Sequence, residues 1–230
     1  MDQSDQIASL IITIDGPAGA GKTTISKLLA QRLGYRYLDT GALYRGVALA
    51  VQQAGIDPKD DNALQTLCRD LSLTLEEGDH GLRLILNGRD ITALIRTPEI
   101  SMLASAVSAR PLIRDFLLET QRFIGKQKRV VCEGRDMGTV VFPWADVKFF
   151  LDAAPDIRAR RRFEELKAIS DQAPSLQAVE ADMVQRDRND ATRAAAPLKA
   201  ASDAVRVDSS SLSIQEVVDL MVRTIQERIE

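Results

Sequence analysis

The sequence predicts an α/β fold in which a five-stranded parallel sheet forms a P-loop core, flanked by helices and interrupted by an insertion that holds an antiparallel hairpin. Three observations carry this. Short β-branched runs alternate with helical stretches, which calls for right-handed crossovers between parallel strands. A glycine-rich segment, "DGPAGAGKTT" (15–24), lies between the first such run and the first helical stretch. One segment, 72–91, changes to two-residue alternation.

The elements follow in order. "SLIITID" (9–15) is short and β-branched, as a strand buried on both faces must be. Ile25, Leu28, Leu29 and Leu33 recur at helical spacing over 22–33, and Gly34 can end that helix. "YRYLDTG" (35–41) predicts a second strand, and "ALYRGVALAVQQAG" (42–55) a helix closed by Gly55. The alternating segment reads as two strands joined at "EGDHG" (77–81), with the lone histidine, His80, in the turn and outside any catalytic role. Ser105 and Arg114 fall on an inserted helix. "RVVCEGRD" (129–136), "VKFFLDA" (147–153) and "DAVRVDSS" (203–210) complete the sheet. Two polar helices, interrupted by "SDQAPS" (170–175), fill about 155–194, and the run "RARRR" (158–162) lies on the first of them.

Size and composition bound the reading. A chain of 230 residues accommodates one α/β domain with insertions: a core of about 7–59, 121–154 and 195–230, and an inserted region of about 60–120. With 27% charged residues and a net charge of −3, nothing points to a nucleic-acid polymer or a membrane surface as partner. Cys68 and Cys132 fit neither a disulfide framework nor a metal pattern and read as small buried hydrophobes in a reducing compartment. "MDQSDQIASL" lacks the basic start of a signal peptide, so a soluble cytoplasmic protein is expected.

Gly16, Gly21, Lys22 and Thr23 match G-x-x-x-x-G-K-[ST] in the strand-to-helix setting that the motif requires. Glycines let successive backbone N–H groups converge on an anion, and the following helix adds its positive end. Residues 16–24 (Gly16, Pro17, Ala18, Gly19, Ala20, Gly21, Lys22, Thr23 and Thr24) are therefore expected to hold ATP, with Lys22 on the β- and γ-phosphates and Thr23 on Mg²⁺. The N-K-x-D of a guanine-reading switch is missing. Arginines are in surplus instead. Thr40, Tyr44 and Arg45 follow the second strand, and Glu133, Arg135 and Asp136 close another, all on the edge where α/β sheets bind ligands. Arg186, Asp190 and Arg193 are spaced to share one helical face. Several arginines gathered near a P-loop imply a second phosphorylated molecule.

The stretches "ITIDGPAGAGKTT", "LDTGALYR", "NGRDITALIRTPEIS", "EGRDMGTVVFP", "VKFFLDA" and "RAAAPLKAASDAVRVDSSSLSI" together resemble the bacterial cytidylate kinases, the CMP/dCMP kinases of the nucleoside monophosphate kinase fold. The resemblance runs from about residue 10 to the C-terminal helix. It implies γ-phosphoryl transfer from ATP to CMP or dCMP; a monomer is expected, although the sequence itself is silent on oligomeric state. It implies that Thr40, Arg45, Arg135 and Arg193 hold the acceptor phosphate, that Ser105, Arg114 and Asp136 read cytosine, and that Arg186 and Asp190 contact the sugar. It makes 60–120 a monophosphate-binding insertion and 155–194 a lid, whose Arg158, Arg161 and Arg162 are candidates to reach the transferring phosphoryl, with Arg158 and Arg162 placed beside Lys22, Arg135 and Arg193 as catalytic. Plain readings stand beside these. Asp136 can cap the next helix, Asp190 can merely pair with Arg186, and the role of Glu133 is open. A nucleotide-binding regulator without turnover, or a kinase for UMP or AMP, are the rival functions.

Overall fold

A computed structural model describes residues 9–78, 81–169 and 174–229. The predicted hairpin turn with His80 and most of the 170–175 break lie outside them. Five parallel strands form the main sheet: β1 (Ile11–Asp15), β2 (Arg36–Asp39), β6 (Val130–Gly134), β7 (Val147–Asp152) and β8 (Val205–Asp208), in the order β2-β6-β1-β7-β8. β1 is central because its five residues are all buried, and it pairs on both sides, with Ile12 opposite Val131 and Val147. The same register brings Asp15 level with Gly134 and Asp39 level with Glu133, so the strands finish together on one edge.

Helices cover both faces. α1 (Lys22–Leu33) and α8 (Ile214–Ile229) pack Ile25, Leu29, Val217, Met221 and Ile225 onto Ile12, Ile14, Phe149 and Leu151. α1 ends as expected, with Gly34 left-handed at φ 65°. Leu28, although in helical register, sits on the outer side. α8 begins with a reciprocal cap, in which Glu216 accepts from the Ser213 N–H at 2.8 Å. On the other face α2 (Thr40–Gln53) starts two residues before its predicted start, because Asp39 caps it by accepting from the Ala42 N–H. Cys132 is fully buried and Cys68 half-buried, both with free thiols.

The inserted region differs from its prediction in two ways. After α3 (Asp61–Asp70), strands β3 (Leu73–Gly78) and β4 (Gly81–Leu86) form the expected hairpin, but a third strand, β5 (Arg89–Asp90), adds a second one. Asn87 and Gly88 turn it with φ of 48° and 79°, the pair of positive values that an Asn-Gly hairpin turn demands. The inserted helix is also two helices, α4 (Pro98–Ser108) and α5 (Pro111–Lys126), because Pro111 can open a helix but cannot continue one. Ser105 and Arg114 consequently stand on different helices. α2 joins this region to the sheet through Leu43, Val47, Leu84, Ile91, Ile100, Val107 and Ile113, which share one core. α6 (Pro155–Ile169) and α7 (Leu176–Thr192) pack together over the loop end of the sheet. No described helix is long and apolar enough to cross a membrane.

Residues 137–141 form a short π-helical turn that periodicity does not announce. Phe142, fully buried at its end, presses on the bare backbone of Gly125 in α5, where a Cβ would collide with its ring. Trp144 lies more than half exposed, edge-on to Phe142 and beneath the Arg122 guanidinium. Phe142→Ala should therefore cost about 3–5 kcal/mol in urea unfolding, since the helix backbone cannot close the gap.

Candidate active site

The loop after β1 is shaped by what it touches. Gly16 has φ 152°, and a side chain there would run into the carbonyl of Leu151 in β7. Gly19, at φ 71°, lies so near the carbonyl of Arg158 that a Cβ would sit 2.7 Å from it. The loop carbonyls are tied down: Pro17 accepts from Lys22 Nζ at 2.6 Å, Ala18 from Arg158 Nη1 at 3.0 Å, and Ala20 from Ser209 Oγ at 3.4 Å. With carbonyls turned to the protein, the N–H side is left for an anion. Burial, then Arg135, pushes the Lys22 amine down to about 7.

Thr23 Oγ1 donates to Glu133 Oε1 at 2.8 Å, and the Tyr37 hydroxyl donates to the same oxygen. Burial, then Asp39, raises the Glu133 carboxyl, and burial raises the Tyr37 phenol far above its ordinary value. Thr40 Oγ1 donates to the Glu133 carbonyl at 2.6 Å, which fixes the start of α2 to the end of β6.

Opposite the loop, arginines and carboxylates interlock. Arg45 meets Asp39 at 2.7 Å and Arg135 meets Asp190 at 2.9 Å. Arg114 and Arg193 both meet Asp136, Arg193 at 3.5 Å. Ser105 Oγ reaches Asp190 at 3.3 Å, and Arg193 also donates to Ser108 Oγ at 3.1 Å. Burial raises the Asp136 carboxyl despite its arginines, whereas at Asp190 burial is outweighed by Arg135, Arg186 and Arg193, which hold it low. Arg186 is half-buried, has no carboxylate within ion-pair distance among the described residues, and is driven to about 10 by desolvation and then Arg135. Its Nε and the Nε of Arg45 lack hydrogen-bond partners.

One cleft gathers most of the predicted residues. Ala18, Gly19, Gly21, Lys22, Thr23 and Thr24 line one side, and Thr40, Arg45, Ser105, Arg135, Asp136, Arg186, Asp190 and Arg193 the other. Arg114 stands behind the wall, reaching it through Asp136 and stacking on Tyr44. Of the arginines in 158–162, Arg162 faces the cleft. Arg158 is buried on Ala18, Ala153 and Asp187, and Arg161 donates to Ser209. Asp136 does not cap the turn that follows it.

The profile of the cytidylate kinase family matches residues 12–227. The chain belongs to the cytidylate kinase family. A cytidylate kinase of Geobacter sp. (strain M21) is 52% identical over 220 residues, covering 96% of this chain and 94% of that protein. One from Geobacter sulfurreducens is 52% identical over 219 residues, covering 95% and 94%. An uncharacterized protein from Eubacterium ventriosum has the same fold, with a TM-score of 0.51 at 12% identity over 95% of this chain and 99% of the other.

Sequence reasoning missed several residues of the site. Asp15 opens the glycine-rich segment and had no role assigned. Its carboxylate accepts from the N–H groups of Met137 and Gly138, and burial lifts it to about 6. Tyr37, Ser108, Asp187 and Ser209 became visible only through contacts with residues far away in sequence. An acid ending a strand before a P-loop was the one signal on offer, for Asp15.

Lys22 supplies a prediction. With its folded value below the unfolded one, the group favours the fold increasingly as pH rises from about 7 toward 10.5. Polyphosphate reverses this by favouring the charged amine. Near pH 8, ATP binding should take up about one proton per nucleotide, read from the dependence of calorimetric binding enthalpy on buffer ionisation enthalpy. Lys22→Met should bind ATP weakly and without the uptake.

Proposed function

We propose that this chain transfers the γ-phosphoryl group of ATP to CMP or dCMP, giving ADP with CDP or dCDP. One observation carries the proposal: in a member of the cytidylate kinase family, a P-loop and an arginine-lined wall face each other across a single cleft.

Phosphoryl transfer asks little covalent chemistry of a protein, so placement and charge neutralisation carry it. The loop amides, Lys22 and the N-terminal end of α1 hold the ATP phosphates. Thr40, Arg45, Arg135 and Arg193 hold the acceptor phosphate, and Arg186, which has no carboxylate within ion-pair distance among the described residues, joins them as well as reaching the sugar with Asp190. Without that positive wall, the two phosphorylated ligands would repel each other. The attacking phosphate oxygen is ionised near neutral pH, so no general base is required.

Asp136 accepts from the cytosine amino group and Ser105 donates to a ring acceptor, while Arg114 orients the Asp136 carboxylate from behind the cleft wall. Uracil would present an acceptor to Asp136, setting lone pair against lone pair at a buried carboxylate. Thr23 and Glu133 are adjacent hard-oxygen groups that fit Mg²⁺, since Thr23 gives its proton to Glu133 and keeps its lone pairs free. Mg²⁺ held there would neutralise charge between the phosphates. The insertion at about 60–120 and the lid at about 155–194 exclude water, with Arg162 the lid arginine that faces the cleft. The residues assigned to both substrates line the cleft of one chain, in keeping with a monomer, and two free thiols suit the cytoplasm.

The test is steady-state ADP formation with CMP, dCMP, UMP and AMP offered separately. Strong turnover with CMP and dCMP is expected; equal turnover with all four would overturn the base assignment, and none would overturn the kinase. Arg135→Ala should lower kcat/KM for every acceptor, by roughly a hundredfold. Asp136→Asn should lower the CMP-to-UMP preference, by about tenfold.

A further inference from the structure

The turn at 137–141 needs a cap, and the residue placed to supply it does something else. Asp136 occupies the capping position but makes no side-chain hydrogen bond to the turn. Its carboxylate is given over to Arg114 and Arg193. The cap comes from another strand. Asp15, buried at the end of β1, accepts from the Met137 N–H through one oxygen and from the Gly138 N–H through the other, each at 2.8 Å. The turn also fits closely against β1, because Gly138 leaves only enough room for Thr13 Oγ1 and the Lys148 stem, each 3.1 Å from where a Cβ would be.

We infer that Asp15 is a positioning residue for the acceptor: by capping this turn from β1 it releases Asp136 to face the cleft with its arginines, a role that rests on the reading of Asp136 given above. Were Asp136 to cap its own turn, the carboxylate would swing from the arginines toward the backbone, leaving Arg114 without its carboxylate partner and Arg193 with Asp190 alone. The two carboxylates thus divide two tasks that one cannot perform together. Because Asp15 sits on the strand that runs into the P-loop, the acceptor side is registered against the nucleotide side through two hydrogen bonds and no ligand.

Asp15→Asn tests this, since the amide keeps the shape but turns a donor toward one of the two N–H groups. The CMP-to-UMP ratio of kcat/KM should fall on the order of tenfold, with KM for ATP unchanged. Amide hydrogen exchange at Met137 and Gly138 should accelerate, a readout independent of turnover. In the double variant with Asp136→Asn the selectivity loss should be no greater than in Asp136→Asn alone, because one residue acts through the other. Equal losses for both acceptors, or selectivity losses that multiply in the double variant, would overturn the inference. Should Asp15→Asn fail to fold, Gly138→Ala, which wedges the turn away from β1 with Asp15 intact, should show the same selectivity loss, and unchanged selectivity there would overturn it. Unchanged selectivity in Asp136→Asn would instead mark failure of the base assignment itself, and the inference would go with it.

Discussion

Asp136 and Asp190 are what allow so many arginines to share one cleft. Arg114, Arg135 and Arg193 are each paired to one or the other, and all three would repel one another without them. Pairs this buried contribute little net stability over an apolar core, but removing one partner leaves a stranded charge and is costly. The arrangement therefore holds cations in place rather than adding to the fold's stability. It also sets a threshold for ligands: a phosphate that enters must compete with a carboxylate already in position, and a dianion can do so where a weaker acceptor cannot. Arg186, with no carboxylate within ion-pair distance among the described residues, offers the least competition.

The rest of the architecture places these carboxylates. Asp136 follows β6, Asp190 lies near the end of α7, and Ser105, which touches Asp190, comes from α4. Each comes from a different part of the fold, so the cleft exists only when the main sheet, α4 and α7 pack together. α2 is the hinge pin of this packing. Its Thr40 is bonded to β6, its Arg45 lines the cleft, and its apolar face anchors the insertion through Leu43 and Val47.

Much of the fold was legible because strand and helix periods in the core were uninterrupted. β1 and α1 have the boundaries that β-branching and Gly34 announce to within two residues. The third strand of the small sheet was overlooked although Asn87-Gly88 signals a hairpin turn, because its strand is two residues long and carries no alternation. The break at Pro111 was equally visible and equally decisive, since it brings Arg114 back toward Asp136. In the site, the P-loop was legible from local backbone demands alone. The arginine wall was legible as a collection, from residue type and strand ends, but its pairing was not. Ser105 and Asp190 are 85 positions apart, and only tertiary packing makes them neighbours. Asp15 escaped because an acid beside a P-loop has no local chemistry; its partners are backbone groups 122 and 123 positions away.

The arginine run of α6 shows how one sequence feature resolves into different tasks. Arg158 and Arg162 are one helical turn apart, so they share a face at different heights along the axis. Arg158 is the nearer to the start of α6 and to the sheet, and its guanidinium is used up by the carbonyls of Ala18 and Ala153 and the carboxylate of Asp187. Through Asp187 it also binds α7, so α6, α7 and the glycine-rich loop form a single braced unit. Arg161 points aside to Ser209, which in turn donates to the carbonyls of Ala20 and Asp152. Arg162, one turn farther from the brace, meets Glu165 alone among the described residues, a half-exposed pair of the kind that solvent weakens. Arg158, bonded to the Ala18 carbonyl, cannot move without loosening the glycine-rich loop. Of the run, Arg162 has the partner that is cheapest to leave.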